Sequence, residues 1–456
     1  MTSTRPWLLA LVAASACAQT SPLTINQAVA QALEKYPATR VSIEQVAAAA
    51  AGINLARTSY LPRADFVGQL NRATRNNVFG MLLPQQVIPP ISGPVLGTNN
   101  FTNVWGSALG VLVSWEPFDF GLRKANIETA EITRRRAEAG VDETRLEVAA
   151  SAADAYLTVL AAEQTVIAAR AGVSRADIFR DIVGALVKNQ LRPGADESRA
   201  RAESALAQNQ VIQAEQATVV ARTVLVQLLG PEAASAPLQS SALLMPRAQL
   251  PPENSSLADH PAAREQRTAI EESQSREHAL EKSYYPRFNL QAAAYGRGTG
   301  AHPDGTTGGA VSGLGPNTQN WALGLTVSFP AFDLPSIRER RNIEKHRALG
   351  EQARYDQLVR DLNARVERAR AQLEGAGRVA ANTPVVVEAA RDSERQATAR
   401  YRAGLATLIE VADAQRLLTQ AEIDDALARL AIWRARLNLA IAGGSVDPFL
   451  REVSSQ

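Results

Sequence analysis

Bulky apolar side chains alternate with small or polar ones along several short segments of the chain. From Trp321 to Phe329, every odd position is bulky and apolar, whereas every even position is Ala, Gly, Thr or Ser. Segment 105–115 repeats the pattern, and only Ser107 interrupts its apolar face. Because successive side chains of a strand point to opposite faces, this period predicts strands with one apolar face.

The ends of these apolar faces carry aromatic residues. Trp105 and Trp115 lie on one face, about 33 Å apart at ~3.3 Å per residue, and a strand tilted by ~40° projects that span to ~25 Å. This is the height of a lipid-facing band whose rims carry aromatic girdles. We therefore predict a membrane girdle of Trp105, Trp115, Trp321 and Phe329, with strands of a soluble sandwich as the alternative.

Helical segments of unusual length follow the strands. No proline lies inside 118–192, and a continuous helix over 122–187 would be ~100 Å long at 1.5 Å per residue. Such a helix suits a coiled coil or a helical tube. In the second half of the chain, Gly375, Gly377 and Pro384 predict a kink or a small irregular insertion midway.

The chain contains an internal duplication. The Tyr-Leu-Pro-Arg sequence at 60–63 recurs as Tyr-Tyr-Pro-Arg at 284–287. The Ser-Trp-Glu-Pro-Phe-Asp sequence at 114–119 recurs as Ser-Phe-Pro-Ala-Phe-Asp at 328–333. Self-similarity of this kind indicates a repeated structural unit.

We assign the two copies to 22–235 and 250–445, and each has the same order of predicted elements. A first helix, at about 24–58 or 258–283, ends at the Tyr-x-Pro-Arg signal because the residue before proline favours extended geometry. A strand, a loop, a second strand, a very long helix, a turn and a further helix follow.

The number of strands bears on assembly. Two hairpins supply four strands, and an open four-stranded sheet in lipid would leave its edges unpaired. Two chains would pool eight strands and three would pool twelve, enough to enclose a lumen. Small inward residues such as Gly324 and Ser328 favour three. The strand count therefore favours a fold class that is mainly α with membrane β, in which a homotrimer encloses a twelve-stranded β-barrel.

The first residues are typical of an export signal. Arg5 precedes a short apolar run at 7–14, and small residues follow it, which predicts a signal peptide at 1–16. Cys17, the single cysteine, occupies the position that is acylated in bacterial lipoproteins. Cys17 is therefore a lipidation candidate, with ordinary cleavage at Ala16 or Ala18 as the alternative.

Charge and composition exclude several functions. Lys and Arg total 48 against 46 Asp and Glu, so the basic surplus of a nucleic-acid-binding protein is missing. Four histidines without metal-ligand spacing and one cysteine argue against a zinc site or a disulfide framework. No convergent nucleophile, base and metal ligands are visible. We expect neither catalysis nor a cofactor.

In this order and duplicated, the motifs resemble the TolC-like outer-membrane efflux protein family over nearly the whole mature length. The motifs are Leu-Thr-Ile-Asn-Gln-Ala-Val at 23–29, the duplicated Tyr-x-Pro-Arg, Phe-Asp-Phe-Gly-Leu-Arg at 118–123, and the segment 400–411. The resemblance implies a trimer in the outer membrane of a Gram-negative bacterium, with its helical barrel in the periplasm. It also implies three partners: outer-membrane lipid, a periplasmic adaptor (membrane fusion) protein, and an inner-membrane pump of RND or ABC type.

The resemblance also implies a gate where the long helices turn back. Tyr401, Glu410 and Asp413 match the family's constricting positions, and three chains would present a ring of up to six carboxylates. Such a ring would favour cations. The equivalents in the first copy are Asp196 and Arg199, so the acidic character belongs to the second copy. The alternative is a solvated helix face.

Two turns, 190–194 and 404–405, lie at this end and are called the tip turns below. In the family such turns contact the adaptor, which makes Leu191, Gly404 and Leu405 the expected adaptor contacts. The alternative is that each leucine packs onto its own helix pair.

The function predicted from these residues and the resemblance is a passive outer-membrane exit duct of a tripartite efflux system, for small solutes such as drugs or toxic compounds. Two alternatives remain at this point. One is the outer-membrane duct of a one-step protein secretion system. The other is a periplasmic coiled-coil scaffold or adaptor.

Overall fold

A computed structural model describes residues 22–74, 101–240, 243, 257–302, 304 and 306–454. The predicted signal peptide and Cys17 lie outside them. The helices are α1 Ile25–Lys35, α2 Pro37–Thr58, α3 Leu122–Lys188, α4 Gly194–Leu229, α5 Pro261–Lys282, α6 Leu334–Arg402, α7 Leu408–Ala442 and α8 Asp447–Ser454. The strands are β1 Arg63–Thr74, β2 Asn103–Phe118, β3 Arg287–Thr299 and β4 Thr318–Ser328. The order helix, strand, strand, long helix and helix occurs twice, over α2–α4 and over α5–α7, as expected of a duplicated unit.

The first predicted helix, 24–58, is wrong as a single element. It divides into α1 and α2 at Tyr36, which is extended with ψ 126°. Pro37 is the cause, because the residue before a proline avoids helical geometry and proline itself is well suited to begin a helix. Thr24 starts α1, with its hydroxyl accepting from the Gln27 backbone in a capping box.

The two long helices are α3 and α6. α3 covers the predicted 122–187 and one further residue. α6 is a single helix of 69 residues, so the irregular insertion predicted near Pro384 is wrong. Pro384 has no N–H for the Ala380 carbonyl. The Thr383 hydroxyl lies 3.4 Å from that oxygen and donates to the Asp425 carboxylate at 2.8 Å, a bond that joins this part of α6 to α7.

The four strands form one antiparallel sheet in the order β1-β2-β3-β4. The predicted apolar face is the exposed one. Its large side chains are at least 41% exposed at the following positions: Phe66, Leu70, Leu109, Val111, Trp321, Leu323, Leu325 and Val327. The opposite face buries Leu112, Ala293 and Tyr295. A soluble sheet buries its bulky apolar face, so this arrangement favours the membrane interpretation over the soluble sandwich.

The segment between β3 and β4 folds back against the end of the sheet. A side chain at Gly298 would collide with the Gly315 carbonyl oxygen and with Ser107 Oγ. Gly313 has φ +90°, and a Cβ there would collide with the Trp105 carbonyl oxygen. Ser107, which interrupts the apolar face in the sequence, is thus covered by this segment.

The chain divides into two compact units, and each unit draws on both sequence copies. The first comprises Met1–Val41, Asp142–Pro261 and Val359–Gln456, and the second comprises Ser42–Val141 and Ala262–Leu358. The main core of the first unit includes the fully buried Tyr156 and Trp433. Tyr156 Oη lies 2.7 Å from the Leu23 carbonyl oxygen and 2.9 Å from that of Gln239.

A buried ion network joins α3 to α5 within the second unit. The Glu272 carboxylate, 3% exposed, accepts from the Arg136 guanidinium at 3.1 Å and from the Thr133 hydroxyl at 2.9 Å. Arg276 pairs with the same carboxylate. Because every one of these charges has a partner, the network fixes which residues of α3 face α5.

Candidate functional site at the tip turns

Both tip turns have the same backbone geometry. In the first, Gln190 has φ 59° and the Leu191 N–H donates to the Leu186 carbonyl oxygen at 2.9 Å. In the second, Gly404 has φ 80° and the Leu405 N–H donates to the Arg400 carbonyl oxygen at 2.8 Å. These bonds define Schellman caps. The duplication therefore extends to hydrogen-bond detail, although only one copy has the favoured glycine.

The leucine that follows each left-handed residue is exposed. Leu191 is 68% exposed and Leu405 is 71% exposed. In a Schellman cap this position commonly packs on its own helix, but here the side chains face outward. The alternative that each leucine packs onto its own helix pair therefore does not describe this structure. Whether an adaptor contacts them remains a prediction.

Tyr401 lies inside the tip and not on its surface. The side chain is fully buried, with its ring 5.2 Å from that of Phe179 on α3. Its hydroxyl donates to the Asp196 carboxylate on α4 at 3.0 Å. Burial, together with this carboxylate, raises the pKa of the Tyr401 phenol to about 12, so it remains a donor at neutral pH. The resemblance suggested a residue that constricts the passage, whereas the buried ring joins α6 to α3 and α4.

Arg192, which sequence reasoning missed, completes this contact. Its guanidinium donates to the Tyr401 carbonyl oxygen at 2.7 Å and lies 4.4 Å from the centre of the Tyr401 ring. The ring and the cation attract one another because the face of an aromatic ring is electronegative. No short motif in the sequence predicts this pairing, since the two residues lie in different copies.

Glu410 caps the first turn of α7. The Glu410 carboxylate accepts from the Thr407 backbone N–H at 3.0 Å, while the Thr407 hydroxyl faces the Glu410 N–H. The bond from the Thr407 N–H, assisted by the Thr407 hydroxyl and the Arg400 charge, lowers the pKa of Glu410. The Thr-Leu-Ile-Glu sequence was a visible capping-box signal. The Glu410 carboxylate, which was predicted to belong to the gate, thus caps the N-terminus of α7.

Asp413 lies one turn further along α7 and is largely exposed. Its carboxylate lies 3.4 Å from the Arg416 guanidinium, which also contacts Glu203 on α4 at 2.7 Å. Glu410 likewise lies 3.4 Å from Arg400. Both carboxylates predicted to form an acidic ring therefore have an arginine partner within one chain, which reduces their field.

The predicted girdle residues lie on the apolar face, but not in one row. Trp321 is 80% exposed and pairs with Ala294, which pairs with Val111. This row lies between Trp105 and Trp115 and coincides with neither. Phe329, 56% exposed, directly follows β4, whereas the sequence had predicted it as the last residue of the strand.

The described residues contain neither a candidate membrane-spanning helix nor a candidate metal site. No helix among them is both long enough and apolar enough to span a bilayer. In the same residues, no group of three or more His, Cys, Asp or Glu side chains is arranged to hold a metal ion.

Comparison with known proteins identifies relatives of this architecture. The chain is similar to the outer-membrane channel OprN, with 22% identity, 92% of this chain and 90% of that chain covered, and a TM-score of 0.70. It is also similar to the CmeC outer membrane channel of Campylobacter jejuni, with 14% identity, coverage of 94% and 89%, and a TM-score of 0.72. Nodulation protein T of Rhizobium leguminosarum bv. trifolii is 28% identical over 134 residues, which span 29% of the length of each chain.

The profile of the outer membrane efflux protein family matches both copies, at residues 28–231 and 254–445. Proteins of this family are channels of the Gram-negative outer membrane, which confirms the predicted location and the prediction that the chain is not an enzyme. The same match excludes the periplasmic scaffold. The fold, the duplication and the profile lead to one conclusion: this chain belongs to the outer membrane efflux protein family.

Proposed function

We propose that the chain is the exit duct of a tripartite efflux system, that it acts as a homotrimer, and that it carries small solutes such as drugs or toxic compounds. In this proposal the lipid-facing sheet lies in the outer membrane. The tip turns meet a periplasmic adaptor, which links the duct to an inner-membrane pump of RND or ABC type. The duct itself performs no chemistry, so its functional states are open and closed.

The observation that carries the proposal is the pair of exposed leucines on the tip turns. An apolar side chain held on a rigid turn gains about 1.5–3 kcal/mol when a partner buries it fully. Leu191 and Leu405 both have this arrangement, and the duplication presents them on two equivalent turns. A surface that only needed to be soluble would not require leucine at either position.

Opening of the duct would separate α6 from α4 at the tip. The contacts that hold them are the bond from Tyr401 to Asp196 and the bond from Arg192 to the Tyr401 backbone. A third contact, this one between α7 and α4, is the ion pair of Arg416 with Glu203. In this proposal the closed tip is held by these polar contacts together with the packing of Tyr401 on Phe179, and a bound adaptor replaces the polar contacts.

The test combines fractionation with drug susceptibility. The full chain should be found as a trimer in the outer-membrane fraction, and its deletion should raise susceptibility to pump substrates. The double variant Leu191→Ser with Leu405→Ser should lose resistance while remaining trimeric, because it removes adaptor contact and leaves the helices unchanged. Leu206→Ser, which alters a 54% exposed leucine on α4, is the matched control.

Full resistance in the double variant would refute the adaptor role of the tip turns. Unchanged drug susceptibility after deletion, together with loss of a secreted protein, would instead favour the secretion duct. Monomers released without detergent would contradict the proposal as a whole.

A further inference from the structure

The two copies differ at the point where a strand passes into a long helix. In the first copy, Arg123 is 5% exposed and its guanidinium lies 3.0 Å from the Asp119 carboxylate. The same guanidinium donates to the Ser59 carbonyl oxygen at 3.1 Å and lies 4.6 Å from the centre of the Tyr60 ring. One cation thus fills the space at this junction and satisfies its acceptors.

The duplication identifies the equivalent place in the second copy. Asp333 corresponds to Asp119, Ser283 to Ser59, and Ile337 to Arg123. Ile337 has neither a charge nor a hydrogen-bond donor in its side chain. It therefore cannot form contacts equivalent to those of Arg123 with the Asp119 carboxylate and the Ser59 carbonyl oxygen. Where the guanidinium would lie, the second unit has a cavity of about 810 Å³, lined by Asp333, Ser283 and Ile337 among others.

Charged groups of both signs line this cavity. The side chains of Arg287 and Arg340 are exposed, and neither forms an ion pair with another described residue. Glu344 is 8% exposed; one of its carboxylate oxygens pairs with Arg347, whereas Oε2 has no partner in the same part of the chain. A buried carboxylate oxygen without a donor costs free energy unless a ligand supplies one.

We propose that this cavity binds a zwitterionic ammonium-phosphate group, the chemistry of an ethanolamine phospholipid head group. The ammonium donates to the Glu344 carboxylate, whose Oε2 has no donor among the described residues. The phosphate accepts from Arg287 and Arg340. A simple anion would leave the Glu344 oxygen without a donor, and a simple cation would leave both arginines without an acceptor.

The position of the cavity indicates a lipid as the source of this group. Arg287 is the first residue of β3 and Ser328 is the last residue of β4, so the cavity lies where the exposed apolar face ends. Val327 and Phe329, 54% and 56% exposed, adjoin it along the chain. An acyl chain could therefore lie on the apolar face while its head group enters the cavity.

The experiment measures retention of short-chain phosphatidylethanolamine by the full-length trimer in detergent, by native mass spectrometry. Ile337→Arg places in the second copy the residue that fills the junction of the first copy, so the variant is compatible with the fold. It should reduce retention more than about tenfold, because the added guanidinium fills part of the cavity and repels the ammonium. Ile343→Arg, at a 51% exposed position of α6, is the matched control and should bind like the wild type. Glu344→Gln should weaken phosphatidylethanolamine and leave phosphatidylglycerol unchanged.

Each outcome is decisive. Equal retention by Ile337→Arg and wild type overturns the proposal, as does equal retention of phosphatidylglycerol and phosphatidylethanolamine, which would show an anion site. Free phosphoethanolamine that competes as strongly as the lipid supports the head-group chemistry but assigns it to a soluble ligand. Competition that requires the acyl chains assigns it to the membrane.

Discussion

The hydroxyl of Tyr401 offers the sharpest test of closure at the tip. Tyr401→Phe removes one oxygen and preserves the ring, so the contacts with Phe179 and Arg192 remain. The lost bond, 3.0 Å long, ends on the Asp196 carboxylate. Hydrogen bonds to charged groups contribute about 1.5–3 kcal/mol. Because Asp196 is only half-buried, water can partly replace the phenol, and we expect a cost at the lower end of that range.

A cost of about 1.4 kcal/mol is a factor of ten in an equilibrium constant. If the bond exists only in the closed tip, the closed-to-open ratio should fall about tenfold. Conductance of single trimers in planar bilayers measures this ratio as the fraction of time spent open. Asp196→Ala, which removes the acceptor, should open the duct to a similar degree, and the double variant should exceed neither single variant by much, because both remove one contact.

Tyr156→Phe is the matched control for this prediction. It removes a hydroxyl from a fully buried tyrosine of the same unit, which contacts the carbonyl oxygens of Leu23 and Gln239. Its melting temperature should fall while conductance stays unchanged. If Tyr401→Phe conducts like the wild type, or if Tyr156→Phe opens the duct equally, the Tyr401 contact does not hold the tip closed.

Three further predictions concern backbone strain, ion selectivity and pH. Gln190→Gly should raise the free energy of unfolding by up to about 1 kcal/mol, because glycine has no Cβ and is not strained at the positive φ of this position. Thermal denaturation measures this change, and an unchanged or lower melting temperature would contradict the prediction. Arg400→Gln combined with Arg416→Gln should increase cation selectivity in reversal-potential measurements, since it frees the Glu410 and Asp413 carboxylates; unchanged selectivity would place them away from the passage. Burial, with a smaller effect of the Arg365 charge, lowers the pKa of His260 from 6.5, so the folded state binds its proton less readily than the unfolded chain. Stability should therefore be complete above pH 6.5 and fall as the pH drops towards the folded pKa, by about 1.4 kcal/mol per unit of pKa difference, and His260→Asn should remove this slope.

Sequence reasoning succeeded where a single local rule decides the structure. Period-two alternation predicted the exposed apolar face, and the absence of proline predicted α3. It did not predict that α6 continues as one helix through Pro384, beside which the Thr383 hydroxyl donates to the Asp425 carboxylate of α7. Asp425 lies far along the chain, and no local pattern reports its proximity.

The tip shows the same division. The Thr-x-x-Glu pattern at 407–410 was sufficient to predict the cap, although the resemblance directed attention to a gate carboxylate instead. The burial of Tyr401 could not be predicted, since it depends on Phe179, Arg192 and Asp196, which belong to the other copy. Contacts between copies are set by tertiary packing, and a lone sequence contains no measure of it.

The close packing of the segment between β3 and β4 has a consequence for recognition from outside the cell. This segment lies at the end of the sheet away from the helices, and Gly298 and Gly313 leave no room for even one methyl group. A phage or antibody that binds there would meet a surface on which substitutions at these two glycines misfold the segment. Resistance would have to arise from exposed neighbours such as Val311, 72% exposed, while the glycine positions stay constant.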